Sequence, residues 1–295
     1  MAYHVWSRNT LILDLLTVAD NLHTYFTLPH TALLRLSGAD AEAFAQSQFA
    51  NDVMALEPGQ WQWSCWLTAK GRVQAVFALL RQAPGELLLV LPDGGALELG
   101  QALARFVFRR KVALAVDTAA VCGQLAAHPA AAGSRAAIGD DGVIALDWSS
   151  DGGARTLWIG RAGDQDDDGG WRQADLRAGL PRLDASQQET WTPQQLGLDR
   201  LGGYSVRKGC YPGQEIVART HFLGKAKRAT QVIDGLAAGA APGDAVQHGD
   251  ATLGQLACVA GPVALAVMPL EPVEGPLTVN GHPVHAGEPE TGLRR

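Results

Sequence analysis

The sequence has no long apolar run and little with which to staple itself. No apolar run approaches the roughly 18 residues that a spanning helix requires, and Leu11-Ile12-Leu13 is broken at once by Asp14. Residues 1–8 carry His4, Trp6 and Arg8, so no secretory leader is expected there. The four cysteines, Cys65, Cys122, Cys210 and Cys258, lie far apart, with no Cys-x-x-Cys spacing and no His/Cys pairing. That argues against a disulfide framework and a preformed zinc site. A reducing cytoplasm is the expected home, with Cys210 free as a thiol. An excess of positive charge is also missing: the net charge is −6 and the pI about 5.7. Broad attraction to nucleic acid or anionic membrane is therefore not expected, although a local basic patch is compatible with these values.

What is present is globular. Hydrophobic residues make up 47% and charged residues 18% of the 295, a length that suits two or three subdomains rather than one core. The densest chemistry lies in Lys208-Gly209-Cys210-Tyr211-Pro212-Gly213-Gln214-Glu215, running on through Ile216-Val217-Ala218-Arg219. Gly209 and Gly213 can take positive φ and Pro212 fixes its own, so Cys210 is expected at a bend. Arg207 and Lys208 precede the thiol and Arg219 and His221 follow it; nearby cations favour thiolate, the nucleophilic and metal-binding form. Ile216-Val217-Ala218 reads as a short strand. The alternative is a plain turn with a buried small thiol, since free cysteine is among the most buried residue types.

The rest reads as alternating strands and helices. Strands are expected at 31–36, 61–67, 73–80, 86–91 and 112–116, with Lys70-Gly71-Arg72 as a hairpin turn. Helices are expected at 41–54, with Asp40 as N-cap, and at 95–106. This order resembles a split α+β unit of ferredoxin-like type. Trp61, Trp63 and Trp66 suit either an aromatic-stacking surface or wide core residues. Arg109-Arg110-Lys111, with Arg105, suits either an anionic ligand or the end of a helix dipole. Short strands follow at 143–148 and 156–159, then an acidic loop at 164–170 that lacks the spacing of a calcium loop, and a helix at 171–178. A long connection over 182–207 leads to the Cys210 stretch. The last 70 or so residues, with strands at 229–233, 251–259 and 263–269 and a hairpin turning at Asn280-Gly281, read as a small barrel.

The stretch from Lys208 to Arg219 resembles the signature K-G-C-(F/Y)-x-G-Q-E-x3-(R/K) of the YgfZ-type folate-binding proteins. Lys208, Gly209, Cys210, Tyr211, Gly213, Gln214, Glu215 and Arg219 match every fixed position. These proteins are relatives of the T-protein (aminomethyltransferase) of the glycine cleavage system and of a mitochondrial iron–sulfur assembly factor. Leu36-Ser37-Gly38-Ala39-Asp40, Gln48 with Asn51-Asp52-Val53, Lys70-Gly71-Arg72-Val73, Arg109 with Lys111-Val112, Ala178-Gly179-Leu180-Pro181 and Leu198-Asp199 with Gly202-Gly203 resemble further family patterns. The resemblance spans roughly residues 31–270 and is weakest over 118–170.

The resemblance implies an α+β fold in which three subdomains form a ring around a central channel: ferredoxin-like units plus a C-terminal β-barrel. The expected units are residues 1–117, 118–222 and 223–295. It implies tetrahydrofolate or a derivative as the channel ligand, iron–sulfur enzymes as clients, and an effect on tRNA modification. Cys210, Lys208, Glu215 and Arg219 are then the expected thiol cluster, and Trp171, Arg177, Asn51, Asp52 and Arg72 the expected ligand-binding residues. Three departures stand out. Where the T-protein has G-G-I-x-D-D, this chain has no acid, with Ala75 and Val76 in its place, which removes the expected acid–base group for aminomethyl transfer. Arg177 replaces the glutamate that precedes A-G-(I/L)-P, and a guanidinium only donates where a pterin needs an acceptor. Thr31 stands where relatives carry a tryptophan. The competing readings are an auxiliary factor for iron–sulfur enzymes with Cys210 as functional thiol, a tetrahydrofolate-dependent one-carbon transferase, and a tRNA-binding module.

Overall fold

The computed structural model describes residues 24–167, 169–224, 226–271 and 275–295; the lead-in read from residues 1–23 lies outside them. The first sheet is built from β2 (Ala32–Ser37), β3 (Gln60–Leu67), β4 (Val73–Ala83), β5 (Glu86–Leu91) and β6 (Ala113–Asp117), in the order β3-β4-β5-β2-β6 and antiparallel throughout. Period-two alternation splits its side chains between two cores. Leu34, Leu36, Phe77 and Leu79 meet the helices α1 (Ala41–Gln48) and α2 (Ala96–Ala104). Trp61, Trp63, Cys65, Ala78 and Leu80 face the rest of the protein.

The tryptophans of β3 are core residues. Trp61 and Trp63 are fully buried, and Trp61 stacks on Trp148 with centroids 5.6 Å apart and rings 10° from parallel. The expected helix over 41–54 stops at Gln48. Phe49 turns extended and bridges Trp66, and the Ala50 amide donates to the Cys65 carbonyl at 2.9 Å, so edge pairing with β3 wins over helix propagation.

The second sheet takes β1 (Tyr25–Thr27), β7 (Val121–Gln124), β8 (Ala137–Ile138), β9 (Ile144–Asp147), β10 (Thr156–Ile159) and β11 (Gln165–Asp166), in the order β11-β1-β7-β10-β9-β8. The expected first unit over 1–117 is corrected in this respect, since β1 hydrogen-bonds to β7 and β11 and so belongs to the second sheet. Helix α3 (Gly170–Arg177) follows, and α4 (Gln214–Phe222) opens in the signature. The third unit is a closed barrel: β12 (Arg228–Asp234), β13 (Ala245–His248), β14 (Ala251–Ala260), β15 (Val263–Pro269), β16 (Leu277–Val279) and β17 (His282–Gly287). Its last hairpin turns on Asn280 and Gly281 at φ 51° and 78°, the two positive values a type I′ turn requires. Among the described residues no helix is long and apolar enough to cross a membrane.

Candidate functional site

The signature turn is shaped by two glycines with different duties. Both have positive φ, 99° at Gly209 and 79° at Gly213. A Cβ on Gly209 would meet open space. One on Gly213 would lie 2.6 Å from the Thr68 carbonyl oxygen and 2.7 Å from Gly71 Cα, and one on Gly71 would lie 2.8 Å from Ile216 Cβ. The Lys70-Gly71-Arg72 hairpin and the signature therefore touch backbone to backbone, which only paired glycines allow. Between the glycines the chain presents Cys210 to solvent as a free thiol, whereas Cys65, Cys122 and Cys258 are buried. Tyr211 goes the other way: its ring is buried, and its hydroxyl donates to the Ser205 carbonyl at 3.1 Å.

Ile216-Val217-Ala218 is helical, not a strand. Gly213 in the left-handed region starts α4, with Glu215 in the first turn and Arg219 and His221 in the last, the charge order that a helix dipole favours. Val217 is the one residue of α4 that is buried; its carbonyl accepts from Gln194 Nε2 at 3.0 Å. Glu215 and Arg219 are exposed and Gln214 is half-buried. Ile216, Phe222 and Leu223 are exposed apolar residues at 37%, 65% and 84%.

Lys208 does not extend into solvent beside the sulfur. Its ammonium donates to the carbonyls of Gln46 and Phe49, the latter at 2.6 Å, and lies 5.0 Å from the Tyr211 ring centroid. These carbonyls lie in the last turn of α1 and at the extended residue just beyond it, where backbone acceptors lack intrahelical partners. Burial pulls the Lys208 pKa down to about 8, with Asp52 opposing. The side chain of Gln46 completes the clasp. Its amide donates to the Asp52 carboxylate at 3.0 Å and to the Lys208 carbonyl at 3.2 Å, while its oxygen accepts from Val53 N at 2.8 Å. Lys208 thus positions the turn that carries Cys210.

The expected ligand-binding set is not brought together. Asn51 is buried and donates to the carbonyls of Trp63 (2.8 Å) and Gly202 (2.6 Å), tying the first sheet to the loop that leads into the signature. Arg72 donates to the Thr190 carbonyl at 2.8 Å, fastening the same hairpin to the long connection. Arg177 is paired with Asp234 of the barrel at 3.0 Å, not with Asp175. Asn51, Asp52, Arg72 and Arg177 line neither of the two cavities described next, and neither does Cys210.

Trp171 does line a cavity, of about 370 Å³, with Leu28, Thr31, Asp167, Arg172 and Arg182. Its ring is largely committed, however: Arg155 lies 4.8 Å from the ring centroid, and a Cβ on Gly123 would strike the ring at 2.5 Å. A second cavity of about 480 Å³ lies against Trp66, Gln74, Ala75, Asp93, Glu98 and Gln188. Ala75 is the position that lacks the expected acid, yet the same cavity receives Asp93, after β5, and Glu98, in the first turn of α2. Trp66 lines this cavity with its ring, while its Nε1 is sealed from solvent and has no hydrogen-bond partner.

Between the cavities runs a buried ion ladder that no motif announces. Asp175 Oδ1 accepts from Arg155 at 2.8 Å and Trp148 Nε1 at 3.0 Å, and Oδ2 accepts from Arg182 at 2.7 Å. Arg182 reaches on to Asp93 at 2.7 Å and to the Pro92 carbonyl. Burial pushes the Asp93 carboxyl up, with Arg182 opposing. The ladder joins the second sheet, α3 and the first sheet. The one sequence signal for it is the presence of Arg155, Asp175 and Arg182 in segments that otherwise bury apolar side chains.

Residues 227–291, the barrel, match the family described as CAF17, C-terminal beta-barrel domain. Over 236 residues the chain is 30% identical to the tRNA-modifying protein YgfZ of Vibrio vulnificus (strain CMCP6), covering 73% of this chain and 71% of that protein. The glycine cleavage system aminomethyltransferase T from Bartonella henselae superposes with a TM-score of 0.71 at 15% identity, over 92% of this chain and 87% of that one. At that identity the superposition establishes the fold: the T-protein arrangement of mixed α+β units with a barrel at the C-terminus.

Proposed function

The chain belongs to the YgfZ family, and on that premise we propose that it is an auxiliary factor for iron–sulfur enzymes that feed tRNA modification, with Cys210 as its working thiol and a folate-type ligand in the cavity beside Ala75. The observation that carries the reading is the presentation of Cys210: one exposed thiol among four cysteines, on a turn fixed by the Gly213–Gly71 contact and the Lys208 clasp. A fold that locks a backbone this firmly around an outward sulfur gains reach for a reactive group. A cluster takes four ligands, so a lone thiolate serves it transiently, with the client supplying the rest. The exposed Ile216, Phe222 and Leu223 give a protein client apolar surface beside the thiol.

The cavity against Ala75 suits a folate-type heterocycle. Its volume falls within the range of roughly 300–1,000 Å³ usual for small-molecule sites. Glu98 and Asp93 supply the acceptors that Arg177 cannot, and Gln74 and Gln188 both donate and accept. When bound, tetrahydrofolate supplies a carrier for one-carbon units; the residues of this chain orient it and exclude water. Glu98 also supports a second reading, a folate-dependent one-carbon transferase in which an acid from α2 stands in for the one missing from β4.

Replacing Cys210 with Ala tests the thiol. Cells that depend on the variant are expected to lose iron–sulfur-dependent tRNA methylthiolation, while the purified protein keeps its wild-type melting temperature; methylthiolation at the wild-type level would overturn the assignment. The ligand is tested by titrating tetrahydrofolate and following tryptophan fluorescence. Glu98→Gln is expected to weaken binding at least tenfold and Arg177→Ala to leave it unchanged, because Arg177 is spent on Asp234. The reverse order would return the pterin site to α3. Turnover of a methylamine-type substrate with tetrahydrofolate, lost in Glu98→Gln, would favour the transferase.

A further inference from the structure

Phe108 is placed at two costs that folding does not recover. It has φ 47° in the turn after α2, where the Arg110 amide closes on the Val107 carbonyl at 3.0 Å. Glycine or asparagine takes that conformation cheaply; a residue with a bulky Cβ substituent does not. The residue is also 87% exposed, the highest value among the large hydrophobic residues described. Strained, non-glycine backbone persists where the surrounding structure holds it, and it clusters at ligand-binding positions.

The surroundings of the ring are basic and concave. Phe108 lines a cavity of about 640 Å³ with Asp40, Ala43, Arg109 and Arg110. Arg105, Arg109, Arg110 and Lys111 are all exposed. Arg110 is aimed by two hydrogen bonds from its Nη1, to the Ala43 carbonyl at 2.8 Å and to Ser47 Oγ at 2.9 Å. Of the nearby acids, Asp40 lines the same cavity and is held by a backbone amide, and Glu42 is engaged elsewhere. Asp40 accepts from the Lys111 amide at 2.6 Å, and Glu42 is paired with Arg81 at 3.2 Å and the Gly85 amide at 2.7 Å. On a protein of net charge −6 this is a local reversal of sign with an aromatic face at its centre.

We propose that this corner is a single-stranded RNA contact, with an unstacked base on the Phe108 ring and its flanking phosphates on Arg109 and Arg110. Unpaired nucleotides are bound by this combination of a free aromatic face and adjacent guanidinium groups. The αL backbone is what turns the ring outward, away from the α1 and α2 core. The choice of RNA over other polyanions rests on the tRNA-linked reading above; neither Cys210 nor the folate cavity enters it.

The test is fluorescence anisotropy with a labelled 12-nucleotide single-stranded RNA, on the full chain at low salt. Wild type is expected to bind saturably. Phe108→Gly relieves the backbone while removing the ring, so its melting temperature is expected at or above wild type while its affinity falls about tenfold or more. Arg109→Ala is expected to flatten the slope of log affinity against log salt by about 0.7. Cys210→Ala is expected to bind RNA as wild type does, and Phe108→Gly to bind tetrahydrofolate as wild type does, so failure here and failure of the proposed function are read separately. Absence of saturable binding, unchanged affinity in Phe108→Gly, or equal competition by polyglutamate of the same charge would each overturn the proposal.

Discussion

Asp175→Ala is expected to lower the unfolding free energy by about 3–5 kcal/mol, the usual cost of removing one partner from a buried ion network. The carboxylate is fully buried and accepts from Arg155, Arg182 and Trp148. Without it two guanidinium groups, themselves 3% and 4% exposed, stay desolvated with too few acceptors, and water cannot easily reach them. Asp175→Asn keeps the shape and loses the charge, and is expected to fall between the alanine variant and wild type. Arg177→Ala, on the same helix, is the control. Its pair with Asp234 is about half exposed on the carboxylate side, and exposed pairs contribute about 0–1 kcal/mol. Denaturant midpoints of the three variants decide the matter. Asp175→Ala within 1 kcal/mol of Arg177→Ala would mean that the ladder is not holding the units together.

Gly213→Ala is expected to cost about 2–5 kcal/mol and Gly209→Ala about 1–2 kcal/mol, although both glycines have positive φ. The left-handed backbone accounts for roughly 1–2 kcal/mol at either site. Only at Gly213 does the new methyl also overlap backbone, the Thr68 carbonyl and Gly71 Cα, and overpacking of that kind costs about 1–3 kcal/mol more. Backbone cannot swing aside as a side-chain tip can, so α4 and the turn must move away from the hairpin. Gly213→Ala is therefore also expected to change the rate at which a disulfide reagent labels Cys210, while Gly209→Ala leaves it near wild type. Equal stability and equal labelling in the two variants would show that the signature turn keeps its shape without the hairpin.

Much of the architecture was legible because it rests on local pattern. Alternation along β3 and β4 and the glycine–proline punctuation around β5 marked the first sheet, and Asn280-Gly281 marked the last hairpin. The Cys210 bend was legible too, since two glycines and a proline around one thiol leave the backbone few choices. What misled was the same local logic applied where a distant contact decides. Ile216-Val217-Ala218 has the composition of a strand, but it pairs with no strand and lies within α4. Gly213, pinned by Gly71, sets the chain into a helix instead. Lys208 precedes the thiol in sequence and was expected to stabilise it; the unpaired carbonyls at the end of α1 take its ammonium. Arg177 stands two residues after Asp175, yet α3 turns one toward Asp234 of the barrel and the other into the core.

The sequence by itself determined the family, the order of most strands and helices, the barrel at the end of the chain, and the placing of one thiol at a glycine-shaped corner. These follow from hydrophobic period, turn chemistry and a contiguous motif, all written within a few residues of one another. Only the tertiary structure decided which charges meet, which cysteines are sealed, that an acid from α2 faces the cavity beside Ala75, and that Phe108 points outward. Those outcomes depend on segments far apart in the chain converging in space, where desolvation and the supply of hydrogen-bond partners select among pairings that the sequence leaves equal.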